Sequence, residues 1–296
     1  MQVSLDHAEI ADAPKVDQER HDSTHEIRPD IAYKRLALVN VVFQGWPGAG
    51  NRQWVLIDAG IPGMADSIIA AADNRFCEDA RPAAIILTHG HFDHAGSLET
   101  LAARWDVPVY AHLLEFPYLN GTASYPPPDS DVGGGIMSLL SPLFPRGPVN
   151  VSPWLKALPE NGHVPFMDGW IWIHTPGHSP GHVSFWRERD RTLIAGDAFI
   201  TTAQESAYAV ATQHPEMHGP PMFYTQNWDD ARESVRKLSA LLPEYVITGH
   251  GPAMRGAETR EALHMLADHF DEIAVPKDGY YVKHPASIKD GSAYKT

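Results

Sequence analysis

The segment Thr88-His89-Gly90-His91-Phe92-Asp93-His94-Ala95-Gly96 places four side chains that can bind metal within six positions. It follows the apolar run at residues 82–87, which has the length and composition of a buried strand. In a tight turn after a strand, alternate side chains can converge on one point and the next two can reach a second point nearby. Imidazole suits zinc or iron, and a carboxylate offsets the charge of a dication. The segment therefore predicts a two-metal centre.

A polar surface loop that happens to hold three histidines is the alternative reading of this segment. The apolar strand directly before it argues against that reading, because ligands at strand ends on rigid scaffolding are typical of a preorganised site. Three more candidates share this context: His178, Asp197 and His250 each follow an apolar run within a few residues and lie next to glycine. Glycine lets the backbone bend close to a metal.

Periodicity predicts strands and helices in both halves of the chain. Residues 36–43 and 53–57 are β-prone runs joined by a segment rich in turn formers, which predicts a hairpin. Further strands are predicted at 82–87, 107–111, 170–173, 192–195 and 245–248, and helices at 98–105, 231–242 and 263–273. Strands mixed with helices in both halves predict a layered α/β architecture.

The domain organisation predicted from the sequence has two parts. Residues 1–30 are polar and are interpreted as an N-terminal arm, and residues 31–296 as a single domain. Regularity fails at about residues 116–153, where proline and glycine clusters predict a loop insertion. So long an irregular stretch is typical of a functional segment such as a lid over a site.

Composition and charge exclude several classes of protein. The 296 residues carry a formal net charge of −14 without a basic stripe, which argues against nucleic acid as a partner. No apolar run is long enough for a signal peptide or a membrane span. The single cysteine, Cys77, gives no sign of an oxidising compartment. We therefore expect a cytoplasmic enzyme with a small-molecule substrate, and a homo-oligomer is compatible with this composition.

The order of these motifs resembles that of the metallo-β-lactamase superfamily, and within it the glyoxalase II-like and lactonase-like hydrolases. The resemblance covers about residues 36–255 and rests on five motifs: Leu56-Ile57-Asp58, the segment at 88–96, His174-Thr175-Pro176-Gly177-His178-Ser179 with His182, Ala195-Gly196-Asp197, and Thr248-Gly249-His250. It implies a four-layer αβ/βα sandwich with the metals at one edge.

The resemblance also implies a role for each site residue. His89, His91 and His178 would hold one metal, Asp93, His94 and His250 the other, and Asp197 would bridge both. Two further residues would orient ligands without touching metal, namely Asp58 and His182. Two zinc ions are expected, with iron or manganese at one or both sites as the alternative. Asp93 would also act in catalysis as a proton carrier.

The expected reaction is hydrolysis by a metal-bridging hydroxide of a thioester, lactone or related ester. The superfamily's acyl-homoserine-lactone hydrolases carry a tyrosine three residues after the bridging aspartate, where this chain has Ile200. A mononuclear iron enzyme that oxidises persulfides remains an alternative, as do a β-lactam or phosphoester hydrolase and a binding protein that kept only the fold.

Overall fold

The computed structural model describes residues 3–4, 9–10, 24–133, 139–202 and 216–295 of the chain. Two large β-sheets lie at its centre. The strands of the first sheet, in spatial order, are β3 (His25–Arg28), β4 (Ile31–Leu36), β5 (Val39–Gln44), β6 (Val55–Ile57), β7 (Ala84–Ile86), β8 (Val109–Ala111) and β9 (Leu155–Ala157). The strands of the second are β10 (Trp170–His174), β11 (Val183–Arg187), β12 (Thr192–Gly196), β14 (Tyr245–Thr248), β15 (Met254–Arg255) and β2 (Glu9–Ile10). A separate small pair joins β1 (Val3–Ser4) to β13 (Glu216–Met217).

Helices cover the outer face of each sheet, and the inner faces pack on each other. Against the first sheet lie α1 (Ala65–Phe76) and α3 (Leu98–Trp105), and against the second lie α5 (Trp228–Ala240) and α6 (Ala257–Asp268). The apolar core between the sheets joins side chains of both, including Val42, Ile57, Ile86, Phe185, Ile194 and Ile247. This arrangement is the layered α/β architecture predicted from periodicity, in the four-layer αβ/βα form that the family resemblance implied.

Strand direction brings the predicted ligands to one edge of the sandwich. Strands β6 to β9 run parallel to one another, and β12 runs parallel to β14. Because parallel strands present their carboxyl ends at one edge of a sheet, the loops after them lie together. The loops after β6, β7, β12 and β14 begin at Asp58, Leu87, Asp197 and Gly249.

Two predicted elements differ from the structure. The run at 36–43 is not one strand, because a turn at Ala37, whose φ is 57°, separates β4 from β5. The predicted hairpin with residues 53–57 is present as β5 and β6. The helix predicted at 263–273 is broken at His269, where φ of −115° and ψ of 31° end α6 before the short α7 (Phe270–Ile273).

The predicted arm and insertion are only partly covered by the described residues. Strand β3 lies inside residues 1–30 and pairs with β4, while residues 1–2, 5–8 and 11–23 lie outside the described part. The insertion contains α4 (Phe116–Leu119) and a short 3-10 turn (Ser141–Leu143), and its residues 134–138 are not described. The domain boundaries and the lid stay predictions.

The remaining described helices are short and lie near the loops of the site edge or in the C-terminal part. They are α2 (Phe92–Ala95) and α8 (Tyr280–Lys283). None of the helices in the described residues combines the length and the apolar character that crossing a membrane requires.

Candidate metal centre

The seven predicted ligands lie together in three overlapping groups. In each group, the candidate donor atoms lie within 4.8 Å of one another. The groups are His89, His91 and His178; His89, His94 and Asp197; and Asp93, His94 and His250. All seven side chains are buried. The first and third groups are the two ligand sets that the sequence predicted, while the role of each residue in holding metal stays a prediction.

Asp197 lies between these two sets. Its Oδ2 is 3.4 Å from Nε2 of His178, which belongs to the first set. The same oxygen is 3.4 Å from Nε2 of His94 and 3.2 Å from Nε2 of His250, which belong to the second. A carboxylate at this position faces both sets, as a bridging ligand would.

Backbone contacts between the two sheets fix the relative position of the loops. The N–H of Val183 donates to the carbonyl of Thr88 at 2.9 Å, and that of Asn40 donates to the carbonyl of Gly249 at 2.8 Å. Gly249 has no room for a side chain, since a Cβ there would lie 2.0 Å from Oδ1 of Asp197. The glycine beside His250 therefore lets the last ligand loop approach the bridging position.

Asp58 orients two ligand imidazoles, directly or through a hydroxyl. Its Oδ2 lies 2.8 Å from Nδ1 of His94 and accepts a hydrogen bond from Oγ1 of Thr88 at 2.8 Å. Because this hydroxyl donates to Asp58, it accepts from Nδ1 of His89, 3.0 Å away. Both rings thus carry a proton on Nδ1 and turn Nε2 toward the centre. This contact agrees with the orienting role predicted for Asp58.

Two other imidazoles are held in the same way by groups that the sequence did not indicate. Nδ1 of His250 lies 2.6 Å from the carbonyl of Leu38, at the turn between β4 and β5. Nδ1 of His178 lies 3.3 Å from Oγ1 of Thr225. A backbone carbonyl can only accept, so Leu38 fixes the tautomer of His250 with Nε2 toward the carboxylates.

His182 does not face the centre with a free nitrogen. Its Nε2 accepts the backbone N–H of Asp197 at 2.9 Å, and its Nδ1 lies 3.1 Å from the carbonyl of Thr175. Burial lowers its pKa to about 3, so the ring is neutral at ordinary pH. His182 thus holds the backbone of Asp197, and the orienting role expected for it stays a prediction.

The chemistry of the cluster fits a bound cation. Four ligand atoms are buried without a hydrogen-bond partner in the described residues: Nε2 of His89, His91 and His94, and Oδ1 of Asp197. Buried polar atoms are normally paired, so unpaired ones need a partner that the protein does not supply. Imidazole nitrogens together with carboxylate oxygens are the ligands of zinc and iron sites.

The two ligand sets differ in the charge state of their histidines. Burial lowers the pKa of His89 and His178 well below the usual range, and lowers that of His91 to about 4. Neighbouring imidazoles act in the same direction on His89 and His178. These three rings are neutral near pH 7, which is the form that binds metal.

In the set of Asp93, His94 and His250, positively charged imidazoles pair with carboxylates instead. Although burial opposes it, the Asp197 carboxylate raises the pKa of His94 well above its usual range and that of His250 to about 10. Burial would raise the pKa of Asp93, but the neighbouring imidazoles hold it below its usual value. In the metal-free chain these imidazolium groups supply the positive charge that offsets the carboxylates, so metal binding here releases protons.

One buried carboxylate beside the centre was missed in the sequence analysis. Glu115 is fully buried and accepts four hydrogen bonds. The donors are the backbone N–H of Gly90 at 2.9 Å and of Gly181 at 2.8 Å, Oγ of Ser179 at 2.9 Å, and the hydroxyl of Tyr125. Glu115 therefore joins the loop of His89 and His91, the loop of His178 and the predicted insertion. We refer to Glu115 with these four donors as the Glu115 clamp.

A weak signal for the clamp exists in the sequence. Glu115 is the one acidic residue in the run at 113–119, and it follows strand β8 at the same edge as the ligands. An isolated acid in an apolar run is compatible with burial, but it is equally compatible with an exposed helix position. Its four partners come from three loops that are distant in sequence, so periodicity could not reveal them.

Comparisons with known proteins agree with this fold. The family model described as the metallo-beta-lactamase superfamily matches residues 37–250. The chain is 48% identical over 236 residues to the "Probable metallo-hydrolase YflN" of Bacillus subtilis (strain 168), covering 80% of this chain and 89% of that relative. It is 30% identical over 196 residues to the "Probable metallo-hydrolase YybB" of the same organism, covering 66% and 74%.

A solved structure shows the same fold at low sequence identity. The beta-lactamase domain protein from Burkholderia ambifaria is 20% identical, with a TM-score of 0.59 over 88% of this chain and 80% of that one.

Proposed function

This chain belongs to the metallo-β-lactamase superfamily, and we propose that it is a dinuclear zinc-dependent hydrolase of a thioester, lactone or related ester. The observation that carries the proposal is the position of Asp197 between two complete sets of ligands. A site for one metal would not need the set of Asp93, His94 and His250 beside the set that contains His91.

The residues would divide the work as their contacts indicate. When bound, two metal ions supply Lewis acidity, which lowers the pKa of water to near neutral and polarises the carbonyl oxygen of the substrate. Asp58, Thr88 and the carbonyl of Leu38 keep the ligand imidazoles in one tautomer. Asp93, whose pKa is held low by the neighbouring imidazoles, is ionised at neutral pH and can accept a proton and pass it to the leaving group.

Two features of the chain narrow the class of substrate that we propose. Ile200, which occupies the position of the lactone hydrolases' tyrosine, is fully buried and donates its N–H to the carbonyl of His218. A thioester or open ester is therefore favoured over a lactone of that class. The net charge of −14 disfavours a polyanionic substrate, so the proposal includes a small molecule and excludes nucleic acid.

Metal content and hydrolysis together test this proposal. Elemental analysis of the untreated protein should give about two zinc ions per chain, and a panel of thioesters, lactones and esters should include a substrate that needs the metal. A chain that binds two metals and hydrolyses none of these classes would contradict the substrate assignment. A chain that is active with one metal would contradict the dinuclear mechanism.

One observation favours a second candidate. The group of His89, His94 and Asp197 has two histidines and one carboxylate, which is the ligand type of non-haem iron oxygenases. A single iron held there would support oxidation of a persulfide. About one iron per chain, with oxygen uptake in the presence of glutathione persulfide and no hydrolysis, would favour this enzyme over the hydrolase.

A further inference from the structure

Residues 279–295, which we refer to as the C-terminal strap, are bonded to the predicted insertion at their start. The backbone N–H of Tyr280 donates to Oδ2 of Asp129. The hydroxyl of Tyr281 donates to the carbonyl of Pro127 at 2.5 Å. Asp129 and Tyr281 are 8% and 6% exposed, so this end of the strap is attached through buried side chains.

The other end of the strap is bonded beside the Glu115 clamp. Three consecutive residues take part: Ala293 accepts from the hydroxyl of Tyr118 at 2.7 Å, Tyr294 donates its hydroxyl to the carbonyl of Leu114 at 3.0 Å, and the backbone of Lys295 exchanges two hydrogen bonds with that of Ser124, at 2.6 and 2.9 Å. Leu114 directly precedes Glu115, and Ser124 directly precedes Tyr125. The ring centroids of Tyr118 and Tyr125 are 3.7 Å apart at an angle of 18°. These bonds therefore lie next to the pair of Glu115 and Tyr125.

Tyr125 connects this end of the strap to the loop of His91. The ring centroids of Tyr125 and His91 are 4.1 Å apart at an angle of 46°. The hydroxyl of Tyr125 also accepts the backbone N–H of Gly90, which lies between the predicted ligands His89 and His91, at 2.9 Å. A Cβ at Gly90 would lie 2.9 Å from that hydroxyl, so the phenol and the loop are packed without free space. Tyr125 therefore cannot move without disturbing the loop of His91.

The middle of the strap is connected to His178. The backbone N–H of Ala286 donates to the carbonyl of Gln226 at 2.9 Å, and the N–H of Gln226 donates to the carbonyl of Gly177 at 3.0 Å. Gly177 directly precedes His178 in the chain. Gln226 directly follows Thr225, whose Oγ1 lies 3.3 Å from Nδ1 of His178. Both neighbours of Gln226 along this path therefore contact or adjoin the imidazole of His178.

We propose that the C-terminal strap positions His91 and His178 and thereby sets the metal affinity of the first ligand set. The imidazoles of the second set are held by other groups, since His94 contacts Asp58 and His250 contacts the carbonyl of Leu38. Groups that orient a ligand without touching the metal change its affinity for metal. The strap residues are positioning residues in this sense. The inference rests on the proposed function, because it assigns a support to one of the two metal sites.

Titration of the metal-free protein with Co²⁺, followed by its visible absorption, tests the strap one binding step at a time. Tyr118→Phe removes the hydroxyl that bonds to Ala293 and keeps the ring that packs on Tyr125. It should weaken one of two binding steps by about two- to tenfold, the size of one hydrogen bond between neutral groups, and leave the other step unchanged. His178→Ala, which removes a predicted ligand of the first set, identifies the step that belongs to that set.

Two further variants separate positioning from a general loss of stability. Tyr281→Phe removes the hydrogen bond to Pro127 at the start of the strap and keeps the test valid if Tyr118→Phe does not fold. Tyr245→Phe is the matched control, because its hydroxyl accepts from Arg28 at 3.2 Å on strand β14 and has no part in the strap. It should leave both binding steps unchanged, whatever it does to the thermal midpoint. A loss that Tyr118→Phe spreads equally over both steps overturns the proposal.

Hydrogen exchange of the metal-free protein distinguishes failure of the strap from failure of the proposed function. In Tyr118→Phe, the amides of residues 88–96 should exchange about two- to tenfold faster than in the wild type, and in Tyr245→Phe they should not. If the wild type binds no metal but this difference is seen, the strap is supported and the hydrolase proposal fails alone. If the wild type binds two metals and Tyr118→Phe and Tyr281→Phe both keep its two affinities, the strap is overturned and the hydrolase stands. If no metal binds and exchange at residues 88–96 is unchanged, both fail.

Discussion

Two buried carboxylates near the ligand loops, Asp197 and Glu115, are treated in opposite ways. Both are almost inaccessible to solvent, at 2% and 0% exposure. Asp197 keeps one oxygen without a hydrogen-bond partner and turns the other toward three histidines. Glu115 accepts two hydrogen bonds on each oxygen from neutral donors.

The pKa values of the two carboxyls follow from this difference. Burial raises both, but at Asp197 the charges of His250 and His94 overcome burial and hold the pKa well below its usual range. At Glu115 the neutral donors do not overcome it, and the pKa stays raised. Burial alone therefore does not separate a ligand-binding carboxylate from a structural one, whereas the number of unsatisfied atoms and the charge of the neighbours do.

We call the predicted metal ligands around Asp197 the open cluster, because several of their atoms have no hydrogen-bond partner in the described residues, and the Glu115 clamp the closed cluster. Metal binding should act through the open cluster and produce the largest effect. Adding metal at about a thousand times its Kd should stabilise the folded chain by about 4 kcal/mol, or roughly 8 °C in Tm. A chelator should reverse this change. Thermal unfolding with and without metal measures it, and an unchanged Tm at saturating metal would mean that the unpaired atoms of the cluster are not ligands.

Asp197→Asn should lower the metal affinity by more than about a hundredfold. About a hundredfold is the upper end of the loss in affinity when a group that only orients a ligand is removed. The amide removes the negative charge between the two sets, and it offers one oxygen where the carboxylate offered two. Competition with a chromophoric chelator measures the affinity. Glu115→Gln, the same chemical change at the closed cluster, is the matched control. Equal losses of metal affinity in Asp197→Asn and Glu115→Gln would mean that the two carboxylates do not differ in their contribution to metal binding.

Asp58→Asn tests the support of the open cluster and should reduce metal affinity by about 10- to 100-fold. The amide has a single acceptor oxygen. It therefore cannot accept both from the backbone N–H of Thr88 and from Nδ1 of His94 while that nitrogen carries a proton. The same chelator competition measures the change. Affinity like that of the wild type would mean that packing alone orients the imidazoles.

Glu115→Gln should lower the free energy of unfolding by about 1–3 kcal/mol, because the amide has one acceptor oxygen and cannot accept from both Gly181 and Tyr125 as the carboxylate does. Denaturant unfolding of the metal-free protein measures this loss. Thr122→Ala, at an exposed residue of the same insertion, is the control and should change stability little. An unchanged free energy of unfolding in Glu115→Gln would mean that the clamp contributes nothing to the stability of the fold.

The difference in unfolding free energy between the wild type and Glu115→Gln should depend on pH. Since the folded pKa of Glu115 is raised above 4.5, its contribution to stability is complete below pH 4.5 and declines as pH rises through the folded pKa. The gap in unfolding free energy between the wild type and Glu115→Gln should therefore narrow as pH rises over this window. A gap that widens instead would contradict the raised pKa.

The predicted metal ligands of the open cluster could be named from the sequence, whereas the Glu115 clamp could not. Histidine and aspartate side chains after apolar strands have a characteristic spacing, and the seven residues named from it lie together in the structure. Helix α3 was predicted with its observed bounds because its apolar side chains recur at helical spacing. The Glu115 clamp and the hydrogen bond between His250 and the carbonyl of Leu38 depend on contacts between loops far apart in sequence, and no local pattern encodes such contacts.

The hydrogen bond between Leu38 and His250 has a consequence for how the protein is made. These residues are 212 positions apart in a chain of 296, and their contact closes most of the chain into one loop. At a synthesis rate of about 5–20 residues per second, the Leu38 carbonyl waits on the order of ten seconds or more for its histidine to be synthesised. During that time His89 and His91 have already been synthesised, whereas His250 has not. The set of Asp93, His94 and His250 is therefore completed only after His250 has been synthesised, and contacts between residues so far apart in sequence form slowly.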